Sequence, residues 1–159
     1  MSRHRAVKAP VKHAEVPRKA RITLPRRPEA VLRYEDFIRT VRFLSEREKN
    51  VVIVAGEEVV DNLLTHGEVG RHGIKVTVRK RASGITLALY VQSHRIFARF
   101  SACLDLSPPP GPRYNSELKR WHGLGLTMSR NLARSVCYRP GEQMDRVYLS
   151  FPLQPDDPL

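Results

Sequence analysis

Two side chains four residues apart, Glu58 and Asn62, have types and spacing that suit chemistry. They lie in GEEVVDNLLTHGE (56–68), where polar groups crowd beside Val and Leu and the run closes on His66-Gly67. On a helix, residues four apart project from one face, about one turn from each other. A carboxylate beside an amide oxygen can serve as a general base and as an oxygen ligand for magnesium, which takes only one or two protein oxygens. A solvated acidic face is the structural alternative for an isolated E-x-x-x-N motif.

A second candidate motif is rich in glycine and stands about sixty residues further along the chain. In WHGLGLTMSRNLA (121–133), Gly123 and Gly125 occur where a loop is expected to become a helix. The unpaired N–H groups and the positive dipole end of such a helix terminus suit a phosphate group. Small residues at a helix start also serve tight turns or close packing. The motif alone therefore leaves both interpretations open.

The N-terminal half of the chain predicts one short strand followed by two helices. RITLP (21–25) is a strand candidate that ends at a proline, and residues 30–50 have apolar residues at helical spacing, namely Leu32, Phe37, Val41 and Leu44. VVIVA suits a strand by composition, yet the run from about 50 to 66 is predicted as a second helix because its apolar residues share one face and Gly67 stands where a helix would end. That face consists of Val52, Gly56, Val59, Val60 and Leu63.

The C-terminal half predicts a hairpin, a long loop, a helix and a closing strand. GIKVTVRKRASGITLALYVQ alternates as two strands, 74–81 and 85–92, joined by a short turn. Residues 94–122 include SPPPGP, which excludes regular structure at that point, so a long loop or lid is expected. Helical periodicity resumes over 123–138, and DRVYLSF is a strand. Helices before and after a set of strands predict an α+β fold, with helices on one face of a mixed, mainly antiparallel sheet.

In this order and at this spacing, the two motifs resemble those of the GHKL (histidine kinase-like) ATPase superfamily, specifically the small bacterial anti-sigma factor serine/threonine kinases. The resemblance covers roughly residues 21–152 and extends to the order of the elements. EEVVDNLLTHG is similar to the N-box of that group, and HGLGLTMSRNLARSV is similar to its second glycine box. The resemblance implies that Glu58 is the catalytic base and Asn62 the magnesium ligand. It also implies a set of nucleotide-binding residues, namely Asn62, His66, Gly67, Gly123, Leu124, Gly125 and Leu126.

The same resemblance implies a fold, cofactors and partners. The fold would be the two-layer GHKL ATPase (Bergerat-like) sandwich, and the cofactors would be ATP and Mg²⁺. Glu58 would activate a serine or threonine hydroxyl of a small antagonist protein, with the phosphates held by magnesium and the glycine box. A sigma factor would be the second partner, and the chain would form a homodimer.

The adenine end of the site departs from the family pattern. After the second hairpin strand the family has D-x-G-x-G, whose aspartate accepts the adenine amino group, whereas this chain has VQSHRIFARF. Ser93 or Gln92 stands at the aspartate position, and Arg95 and Phe97 replace the glycines. The Gly-Thr pair before the last strand is replaced by GEQMDRVYL. These departures favour an alternative, a pseudo-ATPase that binds a sigma factor or antagonist, and they predict weak ATP binding with little preference over GTP.

The charge of the chain is concentrated at its N-terminus. The net charge is +12, and residues 1–28 carry about two thirds of it. Residues 1–20 have prolines and no hydrophobic periodicity, which predicts a basic mobile tail before a domain at 21–152 and a short C-terminal tail at 153–159. The charge raises a third hypothesis, nucleic-acid binding, yet the sequence has neither a helix-turn-helix nor an RNP-like aromatic pattern. No direct specific nucleic-acid binding is expected.

The lack of a long apolar run and the spacing of the cysteines favour a cytoplasmic protein. The sequence has no apolar run of the length that a signal peptide or a membrane span needs. Cys103 and Cys137 lack Cys-x-x-Cys spacing, so neither a zinc site nor a disulfide framework is expected.

Overall fold

A computed structural model of the chain describes residues 18–66, 69–92, 113–115, 120–122, 131–139 and 141–154, with the backbone alone for 66, 113–115 and 120–122. Nine elements follow in these ranges: β1 (Arg18–Leu24), α1 (Ala30–Thr40), α2 (Glu46–His66), β2 (Ile74–Arg81), β3 (Gly84–Val91), β4 (Arg113–Asn115), β5 (Arg120–His122), β6 (Ser135–Arg139) and β7 (Asp145–Phe151).

The fold has two layers, a five-stranded sheet and the helices that cover one of its faces. The strand order is β1-β2-β3-β7-β6, and each described pairing in this sheet is antiparallel. A separate two-stranded pair is formed by β4 and β5. The predicted α+β class, with helices on a mainly antiparallel sheet, is confirmed. The hairpin of β2 and β3 and the closing strand β7 also lie where the alternation of apolar residues predicts them.

The hydrophobic core lies between α2 and the inner face of the sheet. The predicted face of α2 is buried: Val52, Val59, Val60 and Leu63 are fully inaccessible to solvent. Gly56 on the same face lets α1 approach α2, because a β-carbon there would overlap the ring and hydroxyl of Tyr34. The Tyr34 hydroxyl donates a hydrogen bond of 2.7 Å to the backbone oxygen of Val52, so the ring is fixed across this contact. The predicted second helix is therefore correct in type and in orientation.

The boundary between the two helices differs from the prediction. A helix was expected over 30–50, whereas α1 ends at Thr40 and α2 begins at Glu46. Leu32, expected on the packing face, is 65% exposed. The buried positions of α1 are Ala30, Tyr34 and Ile38. They form a helical face that differs from the predicted one.

A capping box explains why a new helix begins here. The Ser45 N–H donates to Oε2 of Glu48 at 2.8 Å, and the Glu48 N–H donates to the Ser45 hydroxyl at 3.2 Å. These two bonds satisfy backbone donors at the helix N-terminus. The Ser-x-x-Glu pattern of SERE was present in the sequence and indicates a helix start at this position.

The capping carboxylate also joins α2 to two distant parts of the chain. Glu48 is 1% exposed, and its Oε2 accepts a bond of 2.6 Å from the Lys80 ammonium on β2. Its Oε1 accepts a bond from the Gln154 N–H at 3.3 Å, and the Ser45 hydroxyl donates to the Gln154 carbonyl at 2.6 Å. The start of α2, the strand β2 and the segment after β7 therefore share one buried polar cluster.

The second difference concerns residues 123–138, predicted as one helix. Asn131 and Leu132 are helical, but Ser135–Arg139 form β6, paired with β7. Half-buried Val136 and Tyr138 alternate with exposed neighbours, a period of two that suits a strand. Because β6 obtains its backbone partners from β7, the local sequence pattern did not reveal it. Residues 123–130 of the predicted helix lie outside the described residues.

The predicted loop over 94–122 and the predicted tail also differ from the structure in part. Two short strands, β4 and β5, lie within the former range, while 93–112 and 116–119 are outside the described residues. The first strand begins at Arg18 rather than residue 21, so the last three residues of the predicted tail belong to β1, where Arg18 pairs with Lys80. Within the part of the chain that the structure describes, no helix has the length and apolarity to cross a membrane.

We predict that Glu48→Ala lowers the free energy of unfolding by about 2–4 kcal/mol, because it removes the cap and leaves the Lys80 ammonium without its carboxylate. The loss is smaller than for a fully buried pair since the Lys80 side chain is 23% exposed. Glu46→Ala is the matched control: Glu46 is also in the first turn of α2 and pairs with Lys49, but its side chain is 71% exposed. It should cost about 0.5 kcal/mol or less. Equal losses in urea denaturation would contradict the assigned role of Glu48.

Candidate functional site

The structure brings Glu58 and Asn62 together on α2, as their spacing predicts. The Asn62 amide nitrogen donates a hydrogen bond of 2.9 Å to Oε1 of Glu58, and both side chains are half-buried. The packing face that includes Val59 and Leu63 holds the helix against the sheet. The pair is thus carried by a rigid element rather than by a loop. Its roles as base and as magnesium ligand stay predictions.

The remaining predicted site residues are placed only in part. His66 is the last residue of α2, and its backbone alone is described. Gly67 and the glycine box of Gly123, Leu124, Gly125 and Leu126 lie outside the described residues. The helix that carries Glu58 and Asn62 is therefore established, whereas the phosphate-binding role of the glycine box stays a prediction.

The donor atoms of the pair fit the implied magnesium ion. Carboxylate and amide oxygens are the hard ligands that magnesium prefers, and a nucleotide-bound magnesium needs only one or two of them from the protein. In the described ranges, no group of three or more His, Cys, Asp or Glu side chains is arranged to hold a metal on its own. The donor atoms of Glu58 and Asn62 therefore suit a magnesium ion that arrives with phosphate.

The neighbouring carboxylate, Glu57, has a different environment. Burial is the main cause that raises the pKa of Glu57, and the nearby Glu35 carboxylate raises it further, while Arg39 opposes the shift. Arg39 itself is held by Glu35, with bonds of 2.9 and 2.6 Å from Nε and Nη2 to Oε1. Burial also raises the pKa of Tyr34 well above its usual value, with a smaller contribution from Glu57. Glu57 thus belongs to the contact between α1 and α2, and the two adjacent glutamates of the motif are not equivalent.

A buried carboxylate that the sequence analysis did not single out lies at one end of the sheet. Leu24, Ile74, Val91 and Asp145 form one row across four strands, and all four are buried. Asp145 is 2% exposed; its Oδ1 accepts the Gly141 N–H at 3.1 Å, whereas Oδ2 has no hydrogen-bond partner among the described residues. Burial is the main cause that raises the pKa of the Tyr138 hydroxyl to about 12, and the charge of Asp145 and a hydrogen bond with its carboxylate raise it further. The sequence could have indicated this buried carboxylate, because Asp145 occupies an inward position in the alternating pattern of DRVYLSF.

Asp145 and the C-terminal end of α2 lie at the same end of the sheet. The chain that leaves α2 passes Gln92, since a β-carbon at Gly70 would lie 3.1 Å from the Gln92 backbone oxygen and 3.3 Å from its Oε1. Gln92 directly follows Val91, which pairs with Asp145. Asn62 is one turn before the end of α2. The polar pair on α2 and the buried carboxylate on β7 are therefore carried by elements that converge at one edge of the fold.

Comparison with known proteins gives a likeness at the level of the fold. No protein-family model matches the sequence, and no curated protein sequence matches it. Among solved structures, the chain is similar to the crystal structure of the RsbU and RsbW domains of Rv1364c from Mycobacterium tuberculosis, with a TM-score of 0.57 and 14% sequence identity. The fold is RsbW-like. The alignment covers 86% of this chain and 32% of that chain, so this chain spans about a third of the other protein's resolved length.

The raised pKa of Glu57 predicts a pH-dependent effect of Glu57→Gln. A carboxyl group whose pKa is raised on folding stabilises the protein below its ordinary pKa, and this contribution is lost as the pH rises through the folded-state value. The variant stays neutral at every pH. The melting temperature of the variant minus that of the natural chain should therefore be larger at pH 7 than at pH 4. Thermal unfolding followed by circular dichroism at both pH values measures the difference. Asp36→Asn, at an exposed position of α1, is the control; an effect of Glu57→Gln that is equal at both pH values would contradict the assignment.

Proposed function

We propose that this chain is an anti-sigma factor-like regulator that binds ATP with magnesium and phosphorylates a serine or threonine of a small antagonist protein. The observation that carries the proposal is the hydrogen-bonded Glu58–Asn62 pair on α2 of an RsbW-like fold. The resemblance of the N-box and the glycine box to those of the anti-sigma factor kinases supplies the reaction and the class of partner.

The two side chains of the pair have separate roles in this proposal. Glu58 accepts the proton of the attacking hydroxyl, and Asn62 orients Glu58 and would supply its amide oxygen as a magnesium ligand. The hydrogen bond from the Asn62 amide nitrogen to Oε1 fixes the rotamers of both residues. Bound magnesium would neutralise phosphate charge during transfer. The protein's own contribution is to hold the base and the ligand on one turn of a packed helix.

We expect Glu58→Gln to retain nucleotide binding but to lower phosphoryl transfer by about a hundredfold or more, because glutamine keeps the oxygen that accepts from Asn62 yet cannot take a proton. Glu57→Gln is the matched control, one residue away with the same change, and it should alter the transfer rate less than about threefold since Glu57 belongs to the helix contact. The measurement is the transfer of labelled γ-phosphate to an antagonist captured by the tagged chain. Equal rates for the Glu58 variant and the natural chain would rule out this base.

A second candidate function, a protein-binding pseudo-ATPase, is favoured by the residue that follows β3. Gln92 is exposed there, and no carboxylate stands at the position of the family aspartate. An amide or a hydroxyl both donates and accepts hydrogen bonds, so neither selects the adenine amino group strongly. In this form the chain would bind a sigma factor or antagonist through the same fold, with little turnover of nucleotide.

Asp145 offers a replacement for the missing aspartate. Its Oδ2 lacks a partner among the described residues, and a buried carboxylate oxygen without a hydrogen bond is costly unless a ligand or water satisfies it. It lies one strand away from the family position, opposite Val91, at the end of the sheet where α2 also ends. An adenine amino group that donates a hydrogen bond to this oxygen would restore the selection of adenine from a different strand.

Asp145→Asn decides between the two forms. Asparagine keeps the oxygen that accepts from Gly141 and removes the charged acceptor, so ATP affinity should fall by about ten- to a hundredfold while GTP affinity changes little. Isothermal titration with both nucleotides measures this, and Glu142→Gln, exposed in the same β6–β7 connection, is the control. Adenine-selective binding that survives in the variant would exclude Asp145, and absent binding in the natural chain would support the pseudo-ATPase.

Both forms share the same proposed partners. A tagged chain should recover a sigma factor or a small antagonist protein from cells, and chemical cross-linking should give the homodimer that the resemblance implies. The cytoplasmic location is part of the same proposal. Recovery of neither class of protein would count against the regulator in either form.

A further inference from the structure

The sheet face turned away from the helices carries positive charge and no compensating acid. Seven cations project from this outer sheet face, namely Lys19, Arg21, Lys75, Arg79, Arg81, Arg139 and Arg146, as the strand register requires. No acidic residue occupies an outward position on the five described strands of this sheet. Most of these cations are exposed, and Arg79 is half-buried. The outer sheet face is therefore a basic surface, to which the basic N-terminal stretch contributes Lys19 and Arg21 through β1.

Two tyrosines lie in the middle of this surface. Tyr90 on β3 and Tyr148 on β7 are half-buried diagonal neighbours, with ring centroids 6.4 Å apart and planes at 79°. The Arg139 guanidinium lies 5.7 Å from the centroid of Tyr148. Aromatic rings exposed on a sheet, with arginine beside them, form a surface on which unpaired bases can stack.

The cations of this face include pairs that repel each other. Lys19 lies directly opposite Arg79, and Arg139 lies directly opposite Arg146. The Arg79 charge is the main cause that lowers the pKa of Lys19, followed by burial and the charge of Arg21. Like charges at directly opposite positions destabilise a sheet, and an anionic polymer laid across the face would relieve that repulsion.

We propose that the outer sheet face binds single-stranded nucleic acid, with phosphates on the arginines and lysines and bases on Tyr90 and Tyr148. The binding is independent of sequence, because the face offers charge and rings rather than a set of polar groups aimed at base edges. It adds to the proposed regulator function and does not depend on it. It is also consistent with the expectation that the chain makes no direct specific contact with nucleic acid.

Other occupants fit the surface less well. A second copy of the chain would place like charges against each other. A duplex hides its bases from the tyrosines and is normally read by an element that enters a groove, which a flat sheet face does not provide. An acidic protein would match the cations, but base stacking also accounts for the half-buried tyrosines at their centre. The combination of rings and cations therefore favours an unpaired strand.

Fluorescence anisotropy with the full chain and a labelled 20-nucleotide single-stranded DNA of mixed sequence tests the proposal. Arg79→Glu/Arg146→Glu should weaken binding at least about tenfold, with the fold retained because residue 79 would then face Lys19 with opposite charge. Arg33→Glu/Arg42→Glu, at exposed positions on and after α1, makes the same change of net charge and should weaken binding by about threefold or less. Equal losses would overturn the proposal, since they would mean that overall charge alone attracts the strand.

The stacking step has its own variant. Tyr90→Thr/Tyr148→Thr keeps residues that favour strands and all the cations, so it should weaken binding about tenfold while leaving the dependence on salt unchanged. Circular dichroism checks that the sheet is retained. An unchanged affinity, equal or tighter binding of a duplex of the same length, or full displacement of the strand by an equal charge of poly-glutamate would each overturn the proposal.

Discussion

The buried carboxylate of Glu48 is the interaction on which the arrangement of this fold depends. A charge at 1% exposure is costly unless it is paired and fully hydrogen-bonded, and here the Ser45 and Gln154 N–H groups and the Lys80 ammonium supply the partners. Each partner comes from a different part of the chain. The carboxylate is therefore satisfied only when α2 starts at one position, β2 lies beside it and the segment after β7 returns to it.

The position of α2 determines what its polar residues meet. The Tyr34–Gly56 contact brings α1 close to α2. As a result, Glu57, the residue after Gly56, lies near Glu35 and Arg39 of α1. Glu58, the next residue, instead shares a bond with Asn62. A single helix therefore separates two adjacent glutamates into a packing group and a candidate base. The difference arises because successive residues of a helix point about 100° apart, so that Glu57 faces the neighbouring helix α1 and Glu58 does not.

The two faces of the sheet have opposite electrostatic character. The inner face is apolar apart from polar groups at its margins, such as Asp145, whose row is otherwise formed by Leu24, Ile74 and Val91. The outer face is basic, with tyrosines at its centre. Because successive residues of a strand point to opposite faces, the same strands supply both surfaces. A candidate nucleotide site and a candidate polyanion surface can thus share one sheet without sharing a side chain.

The sequence by itself determined the α+β class, the hairpin of β2 and β3, the closing strand β7 and the packing face of α2, because these depend on local periodicity. It also placed Glu58 beside Asn62, since a helix fixes the relation of residues four apart. Only the tertiary structure decided that Ser135–Arg139 form a strand, and that Glu48, Asp145 and the outer sheet face have the surroundings described. Those features depend on partners far away in the chain, such as Lys80, β7 and Val91, and periodicity carries no information about which distant segment will satisfy a charge or a backbone hydrogen bond.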